Sequence, residues 1–422
     1  MPRDIDHGIW KVRNGGCGWY QRDPFAELYA LRLLRLAPLG RDFAKAAAGE
    51  PHFCEILGFD PDGPTPTVRD FNARIDERLV ALLDQLDRLG SALHRNISAL
   101  ADALGLDHAE AEVLRFALLL HANPVIEMTV DTVRSPLASD PYFCTAHACG
   151  LPVDVVKAAL SPRGTLHSSG LVQVDRNARA DMNLKARLDV MMRFGLVLSS
   201  DAFSPEDLLG QCAGVAPAST LSTDDYQHLG DHAELVERLL AVALERRERG
   251  INVLLWGPPG TGKTEFARLL ADRLSCTVRE VVSDDAEGDA VAPSQRGAVL
   301  AIAQRLLEDR ADTVLVFDEM EDLLGGRSRY QLRGAAQGKA WLNRLLETNP
   351  VPTVWISNDA DQFDPAILRR FSYVVKFGVP PIDARRRVIA RHLDGLAVAD
   401  ELLEQLASAE SLPPACIGQA AR

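Results

Sequence analysis

The sequence predicts a doubly wound α/β domain on a parallel sheet, followed by a small helical lid and preceded by a mainly α N-terminal region. Three observations predict it. The apolar run 251–256 enters the glycine-rich stretch GPPGTGKT, 257–264, which leads into helix-like residues 265–271, so the order reads strand, loop, helix. A second apolar run, 313–317, ends in the acidic pair Asp318-Glu319. Apolar runs at 251–256, 277–282, 313–317, 353–357 and 372–377 alternate with helical spacing, as in a sheet covered on both faces.

From the N-terminus, residues 1–137 read as helical. Phe25, Leu28, Leu31, Leu34 and Leu36 cluster among arginines, and a Gly/Pro-rich loop follows Leu57. Phe71, Ile75, Leu79, Leu82, Leu86 and Leu89 then recur at three- and four-residue steps, the stripe of an amphipathic helix core face. Residues 138–209 change grammar: a capped helix near 151–160 precedes a strand-capable stretch at 166–174, an order like that of a winged helix. Such a module reads DNA only with basic help at the phosphates. Here Lys157, Arg163, Arg176, Arg179, Lys185, Arg187 and Arg193 are nearly matched by Asp140, Asp154, Asp175, Asp181, Asp189 and Asp201, which favours a structural or protein-contact role. Residues 210–222 are small and almost uncharged, and read as a linker. The α/β core is then 223–380 and the helical lid 381–422.

The chemistry concentrates after the linker. Gly257, Gly260 and Gly262 let the backbone curl so that N–H groups and a helix N-terminus face an anion. Lys263 suits the β- and γ-phosphates and Thr264 a Mg²⁺ ion. Acids at the carboxyl end of a parallel strand face the nucleotide crevice, so Asp318 suits the metal shell and Glu319 the proton of an attacking water. Glu321 and Asp322 continue the charge as a solvated turn does. Asn358, directly after the run 353–357, can orient water or touch the γ-phosphate. Arg369 and Arg370 either close a short helix against its dipole or stabilise charge on a transferring phosphoryl group.

In this order, these motifs resemble those of the AAA+ ATPases, in particular the ring-forming AAA branch. GPPGTGKT resembles Walker A, VLVFDE Walker B, the Asn of WISND sensor 1, and DPAILRRF the arginine-finger segment; the resemblance covers about 223–422. It implies ATP and Mg²⁺ as cofactors, and nucleotide contacts from Gly257, Pro258, Pro259, Gly260, Thr261, Gly262, Lys263, Thr264 and Glu265. It implies Thr264 and Asp318 as metal ligands, and Glu319, Lys263 and Asn358 as catalytic groups acting in cis. Arg369 and Arg370 are implied to act on a neighbouring subunit of a homo-oligomeric ring, a hexamer. Tyr226 lies where the family's adenine-binding segment falls, though it reads equally as a core residue. Two features depart from the family: the segment 280–293 has no aromatic and is acidic through Asp284, Asp285, Glu287 and Asp289, and no clear sensor-2 arginine opens the last helix. Either that arginine is absent or the natural chain continues past Arg422. The glycine-hinged, basic stretch 325–333 offers Arg327, Arg329 and Tyr330 as substrate contacts or is a surface loop.

Composition sets the outer limits. At 47% hydrophobic and 25% charged residues the chain can bury sizeable cores, and a formal charge of −13 argues against nonspecific nucleic-acid affinity. The apolar stretches are too short to span a bilayer, no basic-then-apolar segment opens the chain, and the cysteines lack C-x-x-C pairing, so the expectation is a reduced cytoplasmic protein without membrane contact. Cys144, His147 and Cys149 offer three metal ligands without a fourth. A metalloprotease is set aside because no H-E-x-x-H occurs. The expected function is Mg²⁺-dependent ATP hydrolysis that remodels a macromolecular partner, a protein. The alternatives are a nucleotide-switched binding module and a DNA-handling, clamp-loader-like ATPase.

Overall fold

Several helices in the first half start where a short polar side chain satisfies an orphan backbone N–H. Thr67 Oγ1 accepts from Asp70 N at 3.2 Å, Ser91 Oγ from His94 N at 3.1 Å, Asp107 Oδ1 from Glu110 N at 2.8 Å and Asp140 Oδ1 from Tyr142 N at 2.8 Å. The computed structural model describes residues 23–36, 51–60, 63–64, 66–86, 91–133, 140–175, 184–191, 194–201, 203–284, 291, 293–321, 323, 335–359, 363–396, 398–409, 412 and 414–420. The chain forms two compact units, Met1–Leu208 and Leu209–Arg422.

In the first unit the helices are α1 (Pro24–Leu34), α2 (Pro51–Leu57), α3 (Val68–Leu83), α4 (Ala92–Leu104), α5 (His108–Ala122) and α6 (Pro124–Thr132), then α7 (Pro141–Cys149), α8 (Val153–Ala159) and α9 (Thr165–Ser168). A two-stranded antiparallel ribbon follows, β1 (Val172–Val174) and β2 (Leu188–Val190), with α10 (Leu184–Arg187) leading into β2 and α11 (Gly195–Leu198) after it. α3 buries Phe71, Ile75, Leu79 and Leu82, the predicted stripe, and ends at Leu83. α5 is buried on nearly every side because it is central, packing on α4, α6, α7, α8 and β2. Its one deep cation, Arg115, pairs with Glu112, which also accepts from Tyr29 Oη at 2.9 Å. These contacts run across the predicted division at 137/138. The helix, helix and ribbon order of 138–209 is present, but its elements share the core of α1 and α5. No single helix among the described residues is long and apolar enough to cross a membrane; α5 and α6 reach the length together, but as a pair bent by 89°.

The second unit is a six-stranded sheet in the order β3-β5-β6-β7-β4-β8: β3 (Ala213–Val215), β4 (Asn252–Trp256), β5 (Thr277–Val281), β6 (Thr313–Phe317), β7 (Thr353–Ser357) and β8 (Tyr373–Lys376). β4 to β8 run parallel, with Leu254 opposite both Trp355 and Val374. Their continuous Val, Ile and Leu runs reflect burial on both faces. The covering helices are α13 (Asp231–Arg246), α14 (Lys263–Leu274), α15 (Pro293–Leu306) and α16 (Ala335–Thr348), with the short α17 (Pro365–Leu368) before β8. The lid is α18 (Ile382–His392), α19 (Asp400–Ser408) and α20 (Pro414–Ala420), packed about Ile389, Ala407 and Ile417.

The linker expectation for 210–222 fails. Residues up to Cys212 finish α12 (Pro205–Cys212), and β3 pairs antiparallel with β5, Ala213 opposite Val281 and Val215 opposite Arg279. Without it the outer edge of β5 would present unpaired N–H and C=O groups, and a strand of small residues covers that edge. Further along, Thr223–Leu229 forms a 3₁₀ helix.

Candidate nucleotide site

The site is built where β4, β6 and β7 end side by side. Leaving β4, Gly257 adopts φ 147°, and a Cβ there would lie 2.0 Å from the Phe377 carbonyl oxygen. Only glycine fits so close to a neighbouring strand. Gly260 and Gly262 also hold positive φ, 75° and 89°, which curls the loop. Thr261 Oγ1 ties it internally to the Pro258 carbonyl at 2.9 Å. Lys263 opens α14 and is only 5% exposed. Its ammonium donates to the carbonyls of Gly257 at 2.7 Å and Pro258 at 2.8 Å, and to Asn358 Oδ1 at 3.2 Å. Burial lowers its pKa from the usual lysine range, against the raising influence of Asp318 and Glu321.

Thr264 Oγ1 donates to Asp318 Oδ2 at 2.8 Å, joining the loop helix to the end of β6. A hydroxyl and a carboxylate oxygen held together are hard-oxygen donors of the kind Mg²⁺ takes, so the residues present fit that ion. Glu319 follows with φ 58°, left-handed backbone for a non-glycine residue, and its side chain is 59% exposed. Asn358, after β7, donates from its backbone N at 3.2 Å and from Nδ2 at 3.3 Å to Glu321 Oε1. Thus a chain Lys263–Asn358–Glu321 crosses the mouth of the sheet.

Glu321 was read from sequence as part of a solvated turn. The signal that identifies it is topological: β6 and β7 are adjacent and parallel, so residues leaving them meet. Arg296 on α15, treated below, was also missed.

Two of the expected nucleotide contacts hold protein partners beside the loop. Tyr226 is 3% exposed in the core, edge-on to Phe266 and Phe377 with centroids 5.1 and 6.4 Å away, and its hydroxyl donates to the Gly262 carbonyl at 2.9 Å. It is a buttress of the loop rather than a platform for a base. The Glu265 carboxylate accepts from Ser219 Oγ at 2.9 Å, Thr220 N at 2.8 Å and Arg268 at 2.8 Å, so it anchors the segment 219–220 to α14. Burial pushes its pKa up, but these hydrogen bonds prevail and hold it below the usual glutamate range.

Arg369 and Arg370 follow α17, whose start Asp364 caps through Ala366 N at 2.9 Å. Sequence treats them alike; the fold does not. Arg370 is tied to Glu347 at 2.8 Å and to the Ala366 carbonyl, whereas Arg369 is exposed and its Nε reaches the Pro365 carbonyl at 3.3 Å. None of these partners belongs to the loop. Arg327, Arg329, Tyr330, Asp285, Glu287 and Asp289 lie outside the described residues.

The lid is fastened beside the site through Asp225, which is 4% exposed. Arg391 pairs with its carboxylate, Arg387 stands 3.5 Å away, and Arg391 also donates to the Thr220 carbonyl at 3.2 Å. Burial raises the Asp225 pKa, yet the bonds from Arg391 and Ser222 leave it lowered overall. A depressed folded-state pKa stabilises above the unfolded value, about 3.9 for Asp, and that stability is lost as pH falls through the folded value. Asp225→Asn is therefore expected to lower the melting temperature at pH 7, with the gap to wild type closing below about pH 4; thermal unfolding across pH measures it. A constant gap at every pH would remove the ion pair from the account.

Cys144 and Cys149 are buried, with burial pushing the Cys144 thiol up to about 12, and His147 stacks on Phe143. No group of three or more His, Cys, Asp or Glu able to hold a metal occurs among the described residues.

The sequence pattern of the "ATPase family associated with various cellular activities (AAA)" matches residues 253–379. "ATPase family AAA domain-containing protein 3A homolog" of Drosophila melanogaster is 33% identical over 187 residues, 41% of this chain and 30% of that protein. "ATPase family AAA domain-containing protein 3B" of Homo sapiens is 32% identical over 313 residues, 68% of this chain and 45% of that protein. The chain thus spans less than half the length of either relative. A solved structure described as "Structural Basis for Katanin Self-Assembly" aligns with TM-score 0.38 and 23% identity, covering 52% of this chain and 75% of that one.

Proposed function

We propose, from the premise that this chain carries an AAA ATPase domain, that it hydrolyses ATP with Mg²⁺ and uses the cycle to remodel a protein partner from within a ring of identical subunits. The observation that carries the hydrolysis is the convergence, at the ends of three adjacent strands, of Lys263, the Thr264–Asp318 pair, Glu319 and Asn358. Lys263 offers its charge to the phosphates, exchanging the carbonyls it now holds for anionic oxygens. Mg²⁺, held by Thr264 and Asp318, would supply charge neutralisation on the transferring group. Glu319, exposed beside the pair, takes the proton of a water whose oxygen forms a bond to the γ-phosphorus as the bond to the ADP oxygen breaks. Asn358, fixed by Glu321, orients the reactants.

The ring rests on Arg369. Its exposure leaves a guanidinium available at the surface, and a planar fork from an adjoining subunit would complete charge stabilisation at the γ-phosphate. The test is the mass in solution of Glu319→Gln with and without ATP. A shift to a hexamer with ATP is expected, and Arg369→Ala should leave the shift while lowering turnover in otherwise intact chains. A monomer mass at every ATP and protein concentration would defeat the ring.

A further inference from the structure

Arg296 lies on α15 beneath the exit of β6 and is 2% exposed. Its guanidinium carbon stands 4.7 Å from the centre of the Phe317 ring, the last residue of β6. One arm, Nη2, donates to the Asp318 carbonyl at 2.7 Å, and the other, Nη1, stands 3.6 Å from Glu319 Oε2. Three consecutive residues, Phe317, Asp318 and Glu319, are thus held by one planar group that touches a ring face, a peptide oxygen and a carboxylate.

We infer that Arg296 is a positioning residue for Glu319, an inference that rests on the hydrolytic role given to that carboxylate above. The backbone supplies the reason. At φ 58°, Glu319 occupies a conformation that is strained for a residue with a Cβ and persists only when its surroundings hold it. The bond from Arg296 to the Asp318 carbonyl fixes the peptide plane entering Glu319. The charge on the other arm restrains the carboxylate, which is 59% exposed. Burying a guanidinium is costly unless it is well partnered, and the hydrogen bond and ion pair seen here are both placed on the catalytic strand end. A misplacement of about 1 Å at a reacting group lowers rate by about a hundredfold, so restraint at this point acts on turnover rather than on binding. The metal pair, Thr264 and Asp318 Oδ2, is closed by its own hydrogen bond and does not need Arg296.

The experiment compares Arg296→Met and Arg296→Lys, each alone and combined with Glu319→Gln, by steady-state phosphate release and by ATP affinity. Arg296→Met is expected to lower kcat by about thirtyfold, within the range seen for displaced catalytic groups, with KM for ATP moving less than about threefold. Arg296→Lys keeps the charge without the two-armed fork and should fall between Met and wild type. The two positions should be non-additive: in the Glu319→Gln background, removing Arg296 costs almost nothing further. If Arg296→Met does not fold, the Lys pair of variants carries the same comparison. Wild-type kcat in the folded Arg296 variants, or a loss that multiplies undiminished onto that of Glu319→Gln, overturns the inference and leaves hydrolysis intact. Absence of turnover in the wild-type chain removes both.

Discussion

Replacing Glu319 with glutamine is expected to lower ATP turnover by about 10²–10⁴-fold while leaving ATP affinity within a few-fold of wild type. The substitution keeps the size of the side chain, the left-handed backbone and the hydrogen bond that the backbone N–H donates to Asp318 Oδ1 at 2.8 Å. What it removes is the capacity to accept a proton, which matters only as the water attacks. The groups proposed to meet the phosphates, Lys263 and the loop amides, and the pair that fits Mg²⁺, Thr264 and Asp318, are untouched. Turnover and binding should therefore separate cleanly, read by phosphate release and by equilibrium ATP titration. Full turnover in the variant would remove Glu319 from its role. A parallel collapse of ATP affinity would show instead that Glu319 holds the site together.

Gly257→Ala should have the largest structural effect. The added methyl would sit 2.0 Å from the Phe377 carbonyl oxygen, far inside contact distance, at a φ of 147° that residues with a Cβ rarely adopt. Neither partner can yield easily. Phe377 N donates to the Trp256 carbonyl at 2.7 Å and Gly257 N to the Ser357 carbonyl at 3.2 Å, so the loop base is stitched to strands on both sides. Overpacking joined to backbone strain of this kind falls in the class that costs about 4 kcal/mol or more. For a unit of this size that is on the order of 10 °C in melting temperature. The expected result is a large loss of thermal stability together with loss of detectable ATP binding. A variant that melts with wild type and binds ATP would mean that the loop base does not approach β8 as described.

Much of this architecture is legible in the sequence, and the parts that are not share one cause. β4, β6 and β7 announce themselves because strands buried on both faces need unbroken apolar residues, and the phosphate loop because its glycines answer a steric demand. β3 is three residues without an alternating pattern, and what makes it a strand is the open edge of β5. Tyr226 looks alike in sequence whether it stacks on a base or fills a core; Phe266 and Phe377, distant in the chain, decide it. Glu321 and Arg296 gain meaning only when β7 and α15 are brought against the end of β6. Arg369 and Arg370 are separated by Glu347, a neighbour in space but not in sequence. In each case the deciding partner is tertiary, and local spacing carries no trace of it.

The loop, the Thr264–Asp318 pair and Glu319 are proposed to form one ATP-cleaving centre. Release of inorganic phosphate from ATP by the purified wild-type chain, followed with Mg²⁺ and then with the ion chelated, tests it most directly. Steady release that stops on chelation and resumes when Mg²⁺ is restored is the predicted result. No release at any Mg²⁺ or protein concentration, from chains that bind ATP, would contradict it.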